Sequence, residues 1–169
     1  MHNWRKLIPY AVMVLVVAGA AAAIMWMRVQ EPKERAAEQE AVKQAEQWRI
    51  SVNEAELDLL ARVVHAEAKG EPYEGQVAVA AVIINRVQHP EFPNTIAGVV
   101  YEPLAFQVVA NGQVNKPADE AAIRAAHDAL NGFDPTGGAV YFYNPAKTAS
   151  AWIRSRPVIK TIGRHVFAS

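Results

Sequence analysis

Cysteine is absent from the 169 residues, which excludes disulfides, thiolate zinc sites and a cysteine nucleophile while leaving the redox compartment open. An excess of either charge is absent too. The 17 Lys and Arg balance 17 Asp and Glu, so the chain has no global positive field of the kind that draws proteins onto nucleic acid, and no nucleic-acid partner is expected. Neither G-x-S-x-G nor a Walker-type glycine loop occurs, which removes the usual support for acyl and phosphoryl transfer. His65-Ala66-Glu67 matches the H-x-E fragment of zinc deaminases, but the P-C-x-x-C that completes that motif requires cysteines. His65, His127 and His165 stand far apart with no ligand spacing among them and read as surface or core histidines. No metal and no other cofactor is expected.

What is present begins with a long apolar run. Arg5 and Lys6 precede the uncharged stretch Leu7 to Met27, which as a helix would span roughly 30 Å, enough to cross a bilayer. Two readings compete: a retained anchor, or a secretory signal cleaved within AGAAAA. Apolar residues resume at Ile24, Met25, Trp26 and Met27, and Trp26 suits an interfacial belt, which favours the anchor. The short basic N-terminus (residues 1–6) argues for an N-inside orientation. The expected location is a membrane-anchored protein with an extracytoplasmic domain, or a secreted one if the segment is cleaved.

Residues 28–50 are charged, alanine-rich and poor in large aliphatics, so they build no core of their own and read as a helical stalk. The folded domain is expected over 51–169. Ser51 with Glu54 and Asn53 with Glu56 both have capping-box spacing, which starts a helix. Leu57, Leu60, Ala61, Val64 and Ala68 then recur at spacings of three and four, opposite Asp58, Arg62, His65 and Lys69, and Gly70 supplies a stop. Glu67 falls on the edge of the apolar stripe, three residues after Val64. A carboxyl held there has its pKa raised and keeps a proton to give. The alternative is a glutamate that reaches water or bonds backbone amides at a helix end, and periodicity does not separate the two.

The stretch YEGQVAVAAVIINRV after Pro72 is apolar on nearly all sides and predicts a central buried helix, ended by Pro90 and Pro93, with Asn85 as a structural hydrogen-bonding residue. Downstream, FQVVANGQVN carries Asn111-Gly112 between strand-like arms, a hairpin signal. KPADEAAIRAAHDALNG reads as a helix capped near Asp119 and closed by Gly132, DPTGG as a turn, AVYFYNP as a strand and KTIGRHVFAS as a last strand. That order predicts an α+β fold, a helical lobe beside a small antiparallel sheet.

Four ordered blocks, LARVVHAEAKGEPYEGQVAVAAVIINRV, FPNTIAGVVYEPLAFQVVANGQVN, AVYFYNPAKTASAWI and IGRHVF, resemble the catalytic domain of the SleB/CwlJ family of cell-wall hydrolases, the spore cortex-lytic enzymes. The likeness covers about residues 55 to 168. It implies a lysozyme-like or lytic-transglycosylase-like fold, cleavage of peptidoglycan glycan strands, and a catalytic glutamate in the A-E-A segment, which is Glu67. The spore enzymes carry a peptidoglycan-binding repeat where this chain has its anchor and stalk, which leaves spore cortex and ordinary wall both open as substrates.

Common glycosidases use two carboxyls. Asp119, Glu120 and Asp128 belong to a surface-type helix, Glu102 precedes Pro103, and Glu71 and Glu74 suit the N-terminus of the following helix. A single-acid route remains, in which Glu67 protonates the bridging oxygen and takes a proton back from the sugar's 6-hydroxyl. Gln107, Gln113, Tyr141, Tyr143 and Asn144 carry amides and phenols suited to N-acetyl and hydroxyl recognition, and the resemblance singles out Tyr143 and Asn144 as substrate contacts. Trp152 reads as core. A hydrolase acting on the same bond and a non-catalytic wall-binding scaffold are the rival readings.

Overall fold

The computed structural model describes residues 48–169, together with residues 25–26, 30, 32–36, 39 and 43. The expected span at 7–27 lies outside the described residues apart from Met25 and Trp26. Among the described residues, no helix is long and apolar enough to cross a membrane. Those described between 30 and 43 are helical.

Trp48 and Ile50 pack onto the hydrophobic core, and the Arg49 amide donates to the Leu130 carbonyl at 2.8 Å. The packed domain therefore takes in residues ahead of the expected start at Ser51. Helix α1, Glu54–Ala68, begins at Asn53, whose side chain accepts from the Glu56 amide at 3.0 Å. Of the two candidate boxes, this is the one used. Gly70 follows with φ 82°, a left-handed turn that glycine adopts without strain. Helix α2, Tyr73–Gln88, is buried continuously from Val77 to Arg86. That is the environment an all-round apolar helix requires. Short helices α3, Ile96–Val100, and α4, Gln107–Ala110, lead through a 3₁₀ turn at Gln113–Asn115 to α5, Glu120–Leu130. Helices α1, α2 and α5 pack on one another, and α5 presents Ala122, Ala125, Ala126 and Ala129, small residues that permit close approach.

The hairpin expected around Asn111-Gly112 is not formed. Gly112 does turn with φ 72°, and Asn111 Oδ1 accepts from the Gln113 amide at 3.0 Å, but the arms are helical. Phe106, Val108 and Val114 all enter the core. Two compact turns bury these three residues without the strand partner an extended arm would need.

The sheet is antiparallel with order β1–β3–β2: β1 is Tyr141–Tyr143, β2 is Val158–Ile162 and β3 is His165–Ala168. The single last strand expected from KTIGRHVFAS is two strands joined at Gly163-Arg164. Phe142 pairs with Phe167 and Ile162 with His165. A four-residue helix, α6, Ala151–Arg154, sits between β1 and β2.

Asp134 winds the turn before β1. Its carboxylate accepts from the Thr136 amide at 2.8 Å, the Thr136 hydroxyl at 2.6 Å, the Gly138 amide at 3.0 Å and Asn85 Nδ2 at 3.0 Å. Asn85 also donates to the Ala139 carbonyl at 2.9 Å and accepts from Arg49 at 2.7 Å. Asn85 is thus the structural residue expected, tying α2 to the turn that sets β1. Asn85→Ala leaves the half-buried Asp134 carboxylate and the buried Ala139 carbonyl each short of a donor. An unsatisfied buried group costs about 1–3 kcal/mol, so the expected loss in denaturant-derived stability is about 3 kcal/mol.

Candidate active site

Glu67 lies in the last turn of α1, one residue before buried Ala68 and three after buried Val64. It is half-buried and lines a cleft of about 450 Å³, bounded also by α4, the 3₁₀ turn, the end of β1 and the loop after it. Among the described residues lining this cleft, Glu67 supplies the single carboxylate. Burial raises its pKa. A hydrogen bond from the Val108 amide and the charge of Lys147 pull the other way without cancelling that rise. Val108 is in the first turn of α4, where amides have no partner inside the helix. The carboxyl is therefore oriented by a backbone donor while the low-dielectric side of the cleft favours its protonated form.

Around this acid stand Gln107, Gln113, Tyr143 and Asn144, which the sequence had marked, with Asn111, Lys147 and Thr148. Gln107 and Gln113 are exposed on the turns that replace the expected hairpin. Asn144 Oδ1 accepts from the Ala146 amide at 2.9 Å, fixing the bend after β1. Tyr141 lies in a neighbouring cleft rather than beside Glu67. Trp152 is 55% exposed, so the expectation that it fills the core is overturned. It rides on α6, too short a helix to carry it inside.

Arg86 and His165 also line this cleft, neither of them expected from the sequence as a substrate contact. Arg86, buried in α2, donates Nε to the Val140 carbonyl at 2.7 Å, and its guanidinium lies 5.2 Å from the Phe92 ring centre, 5.4 Å from Phe106 and 5.6 Å from Tyr141. A charge late in an otherwise apolar helix was the available signal. His165 is buried, its Nδ1 lacks a hydrogen-bond partner, and burial lowers its pKa despite the nearby Glu71 carboxylate. No spacing in the sequence linked it to Glu67.

Glu71 does more than charge a helix N-terminus. Its buried carboxylate accepts from the Arg164 amide at 2.9 Å and from Arg164 Nε at 2.6 Å, clamping the β2–β3 turn beside His165. Burial alone would raise its pKa, but these hydrogen bonds outweigh it and the net shift is downward. Asp134 is lowered in the same way, its four donors outweighing burial, and Asp119 is lowered chiefly by the Ala122 amide that it caps. A carboxyl with a depressed folded pKa stabilises the protein above its unfolded pKa, and that stability is lost as pH falls through the folded value. The thermal midpoint is therefore expected to hold through neutral pH and to drop below about pH 4, more weakly in Glu71→Gln and Asp134→Asn than in the native chain.

The Cell Wall Hydrolase family profile matches residues 70–168. The spore cortex-lytic enzyme of Halalkalibacterium halodurans is 56% identical over 114 residues, 68% of this chain and 34% of that protein. The chain thus spans about a third of that relative's length. Among solved structures, the catalytic domain of Bacillus cereus SleB superposes with TM-score 0.68 at 49% identity, covering 73% of this chain and 96% of that one. The catalytic domain of the germination-specific lytic transglycosylase SleB from Bacillus anthracis gives 0.67 at 50% identity, covering 70% and 97%. A helical lobe, a three-stranded antiparallel sheet and a family profile matching more than half the residues lead to one conclusion: this chain belongs to the cell wall hydrolase family.

Proposed function

We propose that the domain cleaves the glycan strands of peptidoglycan between muramic acid and N-acetylglucosamine, as a lytic transglycosylase with Glu67 as acid and then base. The observation that carries this reading is the setting of Glu67: the single carboxyl, its pKa raised by burial, in a cleft whose other polar groups are amides, a phenol, a hydroxyl, an amine, the Arg86 guanidinium and the His165 imidazole. Glu67 donates its proton to the bridging oxygen as the bond to the muramoyl anomeric carbon breaks, leaving an oxocarbenium-like centre. The carboxylate so formed accepts the proton of the same sugar's 6-hydroxyl as that oxygen closes on the anomeric carbon. The acid is restored, no water is consumed, and the product ends in 1,6-anhydromuramic acid. Gln107, Gln113, Tyr143 and Asn144 hold the N-acetyl and hydroxyl groups. The relatives named as spore cortex-lytic enzymes make cortex glycan one candidate substrate, with ordinary wall the other.

A second reading rests on Glu102, a carboxylate lining the neighbouring cleft. With Glu102 as base toward a water, the same bond would be hydrolysed. Mass spectrometry of muropeptides released from purified sacculi separates the readings: anhydro ends support the transglycosylase, reducing ends the hydrolase, and no release a non-catalytic scaffold. The same proposal puts the domain outside the cytoplasm, tethered by residues 7–27 through the helical stalk.

A further inference from the structure

Arg86, Leu104, Ala105, Phe142, Tyr143 and Thr148 line the Glu67 cleft and also a second cleft of about 440 Å³, so the two are continuous. Each has the size of an ordinary ligand site. Three features of the second cleft bear on what it holds.

Trp152 stands at its edge, 55% exposed, yet the ring is not left loose. The Arg156 guanidinium lies 4.3 Å from its centre, and Tyr141 packs against it edge-on at 5.3 Å. An exposed indole held on its neighbours is a preorganised platform, and its apolar surface matches the C–H face of a pyranose ring. Arg86, 8% exposed, lies where the clefts join. Its Nε is bonded to Val140, and among the described residues no carboxylate makes an ion pair with it. A guanidinium carries five donors, of which Nε is the one bonded within the protein among the described residues, and the Glu102 carboxylate on the wall of the second cleft acts on its charge. Leu104 is fully exposed on the shared rim at φ 65°, a left-handed conformation unfavourable for a residue with a side chain. Strain of this kind gathers where loops hold ligands.

We infer that the glycan strand runs from the Glu67 cleft past Arg86 into this second cleft, where Trp152 stacks on a sugar ring and Arg86 donates to an acyl oxygen of the sugar at the junction. The inference rests on the glycan-cleaving reading of Glu67 and adds a second subsite to it. Continuity of the two clefts commits the occupant to the same strand.

The test uses the full chain carrying Glu67→Gln, so that strands survive, and measures its binding to purified glycan strands stripped of their stem peptides. Trp152→Ala added to that background is expected to weaken binding about tenfold while still melting cooperatively as a folded protein. Trp152→Phe, which keeps an aromatic face, is expected to retain most of the affinity. Equal binding by the Ala variant overturns the inference, and so does failure of Glu67→Gln itself to bind strands. Release of muropeptides by the native protein is scored separately: strands bound through Trp152 but never cut would sink the catalytic reading and leave this subsite standing.

Discussion

Glu67→Gln is expected to abolish release of muropeptides from purified sacculi while leaving the fold intact. Glutamine keeps the size of the side chain and one acceptor for the Val108 amide, but it has no proton to give. Positioned acid–base catalysis contributes about 10²- to 10⁴-fold, so the loss in kcat/KM should fall at or beyond the top of that range if one group serves both steps. Stability should move the other way. The native carboxyl has a raised pKa because burial disfavours its charge. Its contribution to stability is complete below the unfolded pKa and is lost as pH rises through the folded one. Glutamine avoids that loss, so the variant's thermal midpoint near neutral pH should equal or exceed the native one. For the native enzyme, kcat/KM should fall as pH rises through the same raised pKa, because the free enzyme must enter the reaction protonated. Native activity in the glutamine variant would remove Glu67 from the mechanism.

A structural effect as large as that of Asn85→Ala, and one that reaches the cleft, is expected from Gly163→Ala. Gly163 turns between β2 and β3 at φ 56°, and a methyl group there would overlap the Glu71 carboxylate and sit 2.9 Å from Pro72 Cδ. Left-handed backbone costs a residue with a side chain about 1–2 kcal/mol, and displacing a hydrogen-bonded carboxylate costs about as much again. The expected destabilisation is therefore on the order of 3 kcal/mol in denaturant titration. Because His165 begins β3 two residues later and lines the Glu67 cleft, the variant should also lose activity at temperatures where it is still folded. Glu71→Gln retains the backbone turn and should show the smaller effect of the two. Equal stability of Gly163→Ala and the native chain would mean that the turn does not depend on this clamp.

Both variants bear on what could be read without a structure. The periodicity of α1 placed Glu67 at the edge of the apolar stripe, and the structure finds it half-buried there, because a helix fixes residues at three- and four-residue spacing on one face. The buried α2 and the Asn53 and Asp119 caps were legible for the same reason. They depend on neighbours in sequence. The Asn111-Gly112 segment shows the limit. Asn-Gly demands a tight turn, and the turn is there, but whether its arms are extended depends on a partner strand, and the core instead takes Phe106, Val108 and Val114 from compact turns. Trp152 failed similarly, since a tryptophan fits a core or a surface equally well until the helix carrying it is placed.

Local order in the chain was enough to set the helix that bears Glu67 and the place of Glu67 at the edge of its apolar stripe, since both follow from residue type and helical spacing, whereas its part as an acid is what the family resemblance implies. Folding alone decided how Glu67, Arg86, Tyr143 and His165, drawn from α1, α2, β1 and β3, meet around one cleft, and that Glu71 reaches across to hold Arg164. The physical reason is that a carboxyl's proton affinity depends on what surrounds it in three dimensions. Chain spacing says which way the side chain leaves its helix, but only packing determines how much water and charge it finds there.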